Sequence, residues 1–143
     1  MTFVLPGGFV SRSPEETEEI GAALAARLRP GDVVLLEGEM GAGKTTFVRG
    51  AARALGVTGR VTSPTFTLAR RLPGRVPVHH LDLHRLARLG PEDEGVLADH
   101  LTPDAVAFLE WPGAARGLLP TPAWTVTLSH EGEHRRGVTV ARC

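Results

Sequence analysis

The residues Gly38-Glu39-Met40-Gly41-Ala42-Gly43-Lys44-Thr45 place two glycines, a lysine and a hydroxyl at the fixed positions of G-x-x-x-x-G-K-[ST]. Lys44 is the only lysine in a chain with fifteen arginines. Given that one lysine, glycine and hydroxyl frequencies put the other three matches at a chance of about two in a thousand. Glycines let consecutive backbone N–H groups turn inward toward anionic oxygens. A helix beginning at Gly43 would add its positive dipole end. In such a loop the lysine reaches the β- and γ-phosphates and the following hydroxyl ligates Mg²⁺. The expected nucleotide-binding residues are therefore Glu39, Met40, Gly41, Ala42, Gly43, Lys44, Thr45 and Thr46, with Thr46 as a further donor.

A phosphate loop of this kind requires an acid at the end of a neighbouring strand, and two are available. Val106-Ala107-Phe108-Leu109-Glu110 is four apolar residues followed by an acid. Val78-His79-His80-Leu81-Asp82 is less apolar but ends in aspartate, the commoner residue for the role. Position alone leaves open which acid serves the metal and which orients an attacking water. His80, Asp82 and His84 alternate, so on a continuing strand they would share a face; they form a minor candidate for a transition metal, the plainer reading being that His80 and His84 line the nucleotide cleft or sit at the sheet edge. His100, His130 and His134 read as isolated, solvated residues. Thr62-Ser63-Pro64-Thr65-Phe66-Thr67 carries four hydroxyls, and Pro64 biases Ser63 to extended backbone. In a phosphate-loop protein, Ser63 and Thr65 would lie in a switch-like loop sensing the γ-phosphate. Arg60, Arg70, Arg71 and Arg75 make a local basic patch, either a solvated face or a surface for RNA or an acidic partner.

These groups need a scaffold, and the patterning supplies alternating strands and helices. Ser13, Pro14 and Glu16 form a capping box. The helix they open runs through Ile20, Leu24 and Leu28 and stops near Pro30-Gly31. Asp32–Leu36 reads as a buried strand, Lys44–Leu55 as a helix closed by Gly56, and Ala105–Leu109 as a second buried strand. Thr65–Leu72 and Val76–Leu81 read as strands joined through Pro73-Gly74. Pro91–Leu101 reads as a short helix, and Ala123–Leu128 with Arg136–Val140 as a terminal pair around Glu131-Gly132. The pattern predicts a mostly parallel α/β sheet with an antiparallel C-terminal addition.

The 143 residues fit one domain, 1–143, large enough for a core without staples. Sixteen basic and sixteen acidic residues cancel, which argues against a protein devoted to coating nucleic acid. The single Cys143 excludes a disulfide framework and a cysteine zinc site. No apolar run approaches membrane-spanning length and no secretory signal is visible at Met1–Phe9, so the expected location is the cytoplasm. The absence of Asn, Gln and Tyr fits a GC-rich genome and is compatible with heat adaptation.

With these residues placed, the chain resembles the TsaE (YjeE) family of bacterial ATPases from about Ser13 to Arg136. The resemblance is carried by Glu37–Thr46, Ser63-Pro64-Thr65-Phe66, His80-Leu81-Asp82-Leu83-His84-Arg85-Leu86 and Glu110-Trp111-Pro112. It implies a P-loop NTPase-like three-layer fold and slow Mg²⁺-dependent ATP hydrolysis to ADP. That activity would support N6-threonylcarbamoyladenosine formation in tRNA, with TsaB and TsaD proteins as partners and tRNA engaged through the complex. It further implies Asp82 as the Mg²⁺-associated acid beside Thr45, and Glu110 as a catalytic acid near the γ-phosphate and the metal, with Trp111 adjacent. Lys44 then stabilises developing charge. The family usually has Tyr where His84 stands and Asp-Leu where Glu39-Met40 stand. The alternatives are a small-molecule kinase, for which the chain has little length left to build an acceptor pocket, and a nucleotide-gated binding module without significant catalysis.

Overall fold

The structure is a computed structural model, and it describes residues 3–39, 41–61, 69–82, 97–110 and 121–143. Among the described residues seven strands and two complete helices follow in the order β1 (Gly7–Ser11), α1 (Pro14–Ala25), β2 (Val33–Gly38), α2 (Lys44–Ala54), β3 (Ala69–Leu72), β4 (Val78–Asp82), β5 (Val106–Glu110), β6 (Trp124–His130) and β7 (Arg136–Arg142). They form one sheet in the order β1-β7-β6-β2-β5-β4-β3. The four central strands, β6, β2, β5 and β4, are parallel, and β3, β7 and β1 pair antiparallel at the flanks. This is the expected α/β architecture, with two differences. The antiparallel addition is built from both chain ends, because β1 pairs along β7. The strand β6, read as half of a terminal pair, also pairs parallel with β2 and so belongs to the central sheet.

Strand alternation divides the core into two layers. On one face Val34 and Leu36, Val106 and Phe108, and Val126 and Leu128 pack against Ile20 and Leu24 of α1 and Phe47, Val48 and Ala51 of α2. On the other, Val33, Leu35, Leu81, Ala107 and Leu109 pack with Leu97, which stands in a helical turn over 97–100. Together these give the three layers expected. That turn is the described end of the helix expected over Pro91–Leu101; residues 91–96 lie outside the description. Among the described residues no helix is long and apolar enough to cross a membrane.

The Ser13 cap of α1 forms as read, while the returning bond from Glu16 goes to Arg12, one residue before the cap. Ser13 Oγ accepts from the Glu16 N–H at 3.1 Å, and Glu16 Oε1 accepts from the Arg12 N–H at 3.1 Å. The helix ends at Ala25 rather than running through Leu28 to Pro30-Gly31. Arg27 and Leu28 donate to carbonyls three residues back, at 2.8 and 3.1 Å, because Pro30 disfavours helical backbone at Arg29 and the chain tightens before it. Leu28 still packs on the core.

The two helices touch backbone to backbone, which their glycines permit. A Cβ on Gly50 would lie 2.0 Å from the Glu18 carbonyl oxygen, and one on Gly21 would lie 2.3 Å from that of Phe47. Glu18 also reaches Arg49 and Arg53 at 3.7 and 3.6 Å. Alanine is the better helix former by about 1 kcal/mol, yet the obstructing atom here is main chain and cannot turn aside. Gly50→Ala is expected to lower stability by about 1–3 kcal/mol, seen as a fall in Tm of several degrees. Gly59→Ala, where no described residue lies within 4 Å of the new methyl, is the matched control. Equal melting of the two variants would show that the helices separate without penalty.

Candidate nucleotide site

The helix N-termini on the shared face of the sheet differ in a way that bears on ligand binding. The first amides of any helix lack intrahelical partners. In α1 they are met by Ser13, with Glu15 and Glu16 in the first turn. In α2 the cap is Gly43, which makes no side-chain hydrogen bond, and the first turn holds no acid. The α2 amides and their dipole are thus left open to an external anion. Gly43 takes φ +104°, a left-handed conformation that glycine adopts without strain. A Cβ on Gly38 would meet the Leu128 carbonyl oxygen at 2.5 Å, so the loop must begin on a glycine where β2 lies against β6. The turn closes through the Ala42 N–H donating to the Glu39 carbonyl at 3.0 Å.

Lys44 is 8% exposed, and its Nζ donates to the Gly38 carbonyl at 2.8 Å across the loop. Thr45 and Thr46 follow in the first turn, both half-buried. Glu39 is exposed, Gly41 is exposed and Ala42 is buried. Met40 lies outside the described residues, as do Ser63, Thr65, His84 and Trp111.

The two acids come together as neighbours. In the parallel pairing of β4 with β5, Asp82 stands opposite Glu110, and Glu110 stands opposite Leu36 on β2. Alternation puts Glu110 on the face of Val106 and Phe108, the face covered by α1 and α2. His80 and Asp82 lie on that face of β4 with Val78. Glu110 is 5% exposed and its Oε2 shares a hydrogen bond with Nε2 of the fully buried His80. Among the described residues no group of three His, Cys, Asp or Glu side chains could hold a metal; His84, the third member of the alternate set, lies outside them.

A cavity of about 440 Å³ opens beside the loop. Gly41, Gly43 and Thr46 line one side, and Arg12, Thr17, His134 and Arg136 line the others. Arg12 and Arg136 are brought together because Ser11 on β1 pairs with Arg136 on β7. Ser11 Oγ donates to the Ser13 carbonyl at 2.8 Å and shares a hydrogen bond with Thr17 Oγ1 at 2.6 Å, fixing the start of α1 against β1. Sequence reading missed this wall. Gly7-Gly8-Phe9-Val10 has little strand signature, and the only clue was polar residues clustered just before a cap.

His134 is exposed, as read, and lines the cavity. The histidine reading changes at one place. His100 is not an isolated solvated residue: its ring packs edge-on against His79 with centroids 4.9 Å apart, and its backbone carbonyl accepts from His79 Nδ1 at 2.7 Å. Burial, then the neighbouring His79, lower the His100 pKa below the ordinary histidine value. Both lie on the sheet face away from the loop. The basic patch is partly structural. Arg75 donates to the Ala54 carbonyl and Arg71 to the Asp99 carbonyl at 3.5 Å, so these arginines tie β3 and its turn to their neighbours.

Known proteins with this architecture are now informative. Residues 11–138 match the family model described as threonylcarbamoyl adenosine biosynthesis protein TsaE. The tRNA threonylcarbamoyladenosine biosynthesis protein TsaE of Bacillus subtilis is 38% identical over 128 residues, 89% of this chain and 80% of the relative. The protein of the same name from Treponema pallidum is 36% identical over 132 residues, 92% and 98% of the two chains. The crystal structure of Bacillus subtilis YdiB superposes with a TM-score of 0.79 at 30% identity, over 100% of this chain and 90% of that one.

Proposed function

Because the chain belongs to the TsaE family, we propose that it binds and slowly hydrolyses Mg·ATP in support of N6-threonylcarbamoyladenosine formation in tRNA, working with TsaB and TsaD proteins. The observation that carries this reading is the uncapped, acid-free N-terminus of α2 beside two carboxylates on adjacent strand ends of the same face. The open amides suit a polyphosphate, and the paired acids with the Thr45 hydroxyl suit a hard divalent cation.

The phosphates would lie on the amides of 41–46, with the Lys44 ammonium turning from the Gly38 carbonyl to the γ-phosphoryl oxygens. Base and ribose would occupy the cavity between Arg12, Thr17 and Arg136. Thr45 and Asp82 would hold Mg²⁺, which when bound neutralises charge on the phosphate oxygens. Glu110, the more deeply held acid, orients the attacking water toward the γ-phosphorus. Its place beside the loop rests on β5 being hydrogen-bonded directly to β2, the strand that feeds the loop.

The decisive assay is repeated-turnover modification of tRNA with TsaB, TsaD and preformed threonylcarbamoyl-adenylate, with and without this protein. Modification is expected to continue past one round only when the protein and ATP are present. Hydrolysis of ATP without any effect on modification would separate the chemistry from the pathway and move the search to a small-molecule phosphoryl acceptor.

A further inference from the structure

We propose that His80 is a positioning residue: its Nε2–H fixes the orientation of the Glu110 carboxylate, and turnover, not nucleotide binding, depends on that bond. The inference rests on the reading of Glu110 as the acid that orients water.

His80 stands in the middle of β4, fully buried, on a strand flanked by β5 and β3. Its register partner on β5 is Phe108, and Val78 precedes it on the same face. Nothing in this packing calls for a polar ring. An aliphatic or aromatic side chain would fill the space without burying two nitrogens. One of those nitrogens, Nδ1, has no hydrogen-bond partner among the described residues, which makes the imidazole a net burden on the core. The other reaches forward by one step of the same face, from the Phe108 level to the next residue, and meets Glu110 Oε2. Among the described residues, the one hydrogen bond the His80 ring makes is that bond.

The chemistry fixes its direction. A carboxylate only accepts, so Nε2 carries the hydrogen. A glutamate carboxyl turns easily about its last torsion, which has broad wells. Committing Oε2 to a ring that is itself locked between strands fixes the carboxyl plane and leaves Oε1 as the oxygen to face a water. Water orientation depends on such placement, and a small misplacement is costly in rate. A second-layer hydrogen bond of this kind acts on turnover through its partner and leaves the phosphate contacts of the loop alone.

The test compares two amides that bury similarly and differ in reach. In His80→Gln the amide nitrogen falls near the position of Nε2; in His80→Asn it falls short of Glu110. The full-length chain is assayed for kcat of ATP hydrolysis, for ADP affinity and for Tm. His80→Asn is expected to lower kcat about ten- to hundred-fold with ADP affinity within about twofold, and His80→Gln to recover most of the loss. His80→Asn combined with Glu110→Ala should be no slower than Glu110→Ala alone, because the two act as one unit. Wild-type kcat in His80→Asn, an equal loss in both amides, or losses that multiply in the double variant would overturn the proposal. A native-protein measurement stands beside these should a variant unfold. Nitrogen-15 NMR of the imidazole is expected to show a hydrogen on Nε2, and a ring protonated on Nδ1 alone would overturn the assignment. The Glu110 reading fails separately, and takes this proposal with it, if Glu110→Ala keeps wild-type turnover. If Glu110→Ala loses turnover and His80→Asn does not, only the positioning role falls.

Discussion

Replacing Lys44 by alanine is expected to abolish the proposed nucleotide hydrolysis and to leave the fold standing. The expected loss is about three orders of magnitude or more, because removing even one preorganised donor from a site of developing charge costs about 10²–10³ in rate, and here a full positive charge goes. The fold survives because α2 is anchored by Phe47, Val48, Ala51 and Ala52 behind the loop, and alanine is a good helix former. The composition sharpens the expectation. A chain with fifteen arginines and one lysine uses arginine wherever a generic cation will do. At position 44 the Nζ folds back 2.8 Å onto the Gly38 carbonyl inside a tight turn, where a compact ammonium fits and a planar guanidinium fork does not. Lys44→Arg is therefore expected to fail nearly as completely as Lys44→Ala. The measurement is phosphate release by highly purified protein, with circular dichroism melting to certify the fold. Wild-type hydrolysis by either variant would remove the loop from the mechanism.

The glycine turn that opens α2 at Lys44 was legible in the sequence because such a loop is a local object: glycines, lysine and hydroxyl lie within eight residues and fix one another's geometry. The acids were legible as strand ends for a similar reason, since four apolar residues followed by a carboxylate is a short-range pattern. Their adjacency was not legible. It comes from β4 and β5 pairing in parallel with Asp82 opposite Glu110, and registers between distant strands leave no mark on composition. The cavity wall was lost for a stronger form of that reason. It joins Arg12 to Arg136 through the pairing of β1 with β7, the two ends of the chain, and β1 is a glycine-rich edge strand whose exposed Val10 gives no period. His80 shows a third limit. Reading alternate positions set it on one face with Asp82 and His84, as a cleft or sheet-edge residue and only as a minor metal candidate. The structure turns it sideways along the sheet to Glu110, thirty residues away in sequence. Same-strand periodicity tells which face a side chain takes and nothing about the neighbouring strand it leans toward.

Glu110→Ala is expected to keep nucleotide binding and lose turnover. The phosphate contacts proposed here come from α2 and its loop, and Glu110 comes from β5, so the substitution leaves the anion site intact. What goes is a carboxylate held at a fixed place on the face beside the loop. General acid–base and water-orienting groups contribute about 10²–10⁴ in rate, so kcat should fall at least a hundredfold while ADP affinity stays within a few-fold. Alanine also leaves the His80 Nε2–H without its acceptor in a buried strand, which costs about 1–3 kcal/mol of stability. Glu110→Gln separates that effect from the chemistry. Its amide oxygen still accepts from His80, so Tm should return most of the way to wild type. Its charge is gone, so turnover should not return. Recovery of both Tm and kcat in Glu110→Gln would assign the residue to holding β4 against β5, and a loss of ADP binding as large as the loss of kcat would place it among the nucleotide contacts instead.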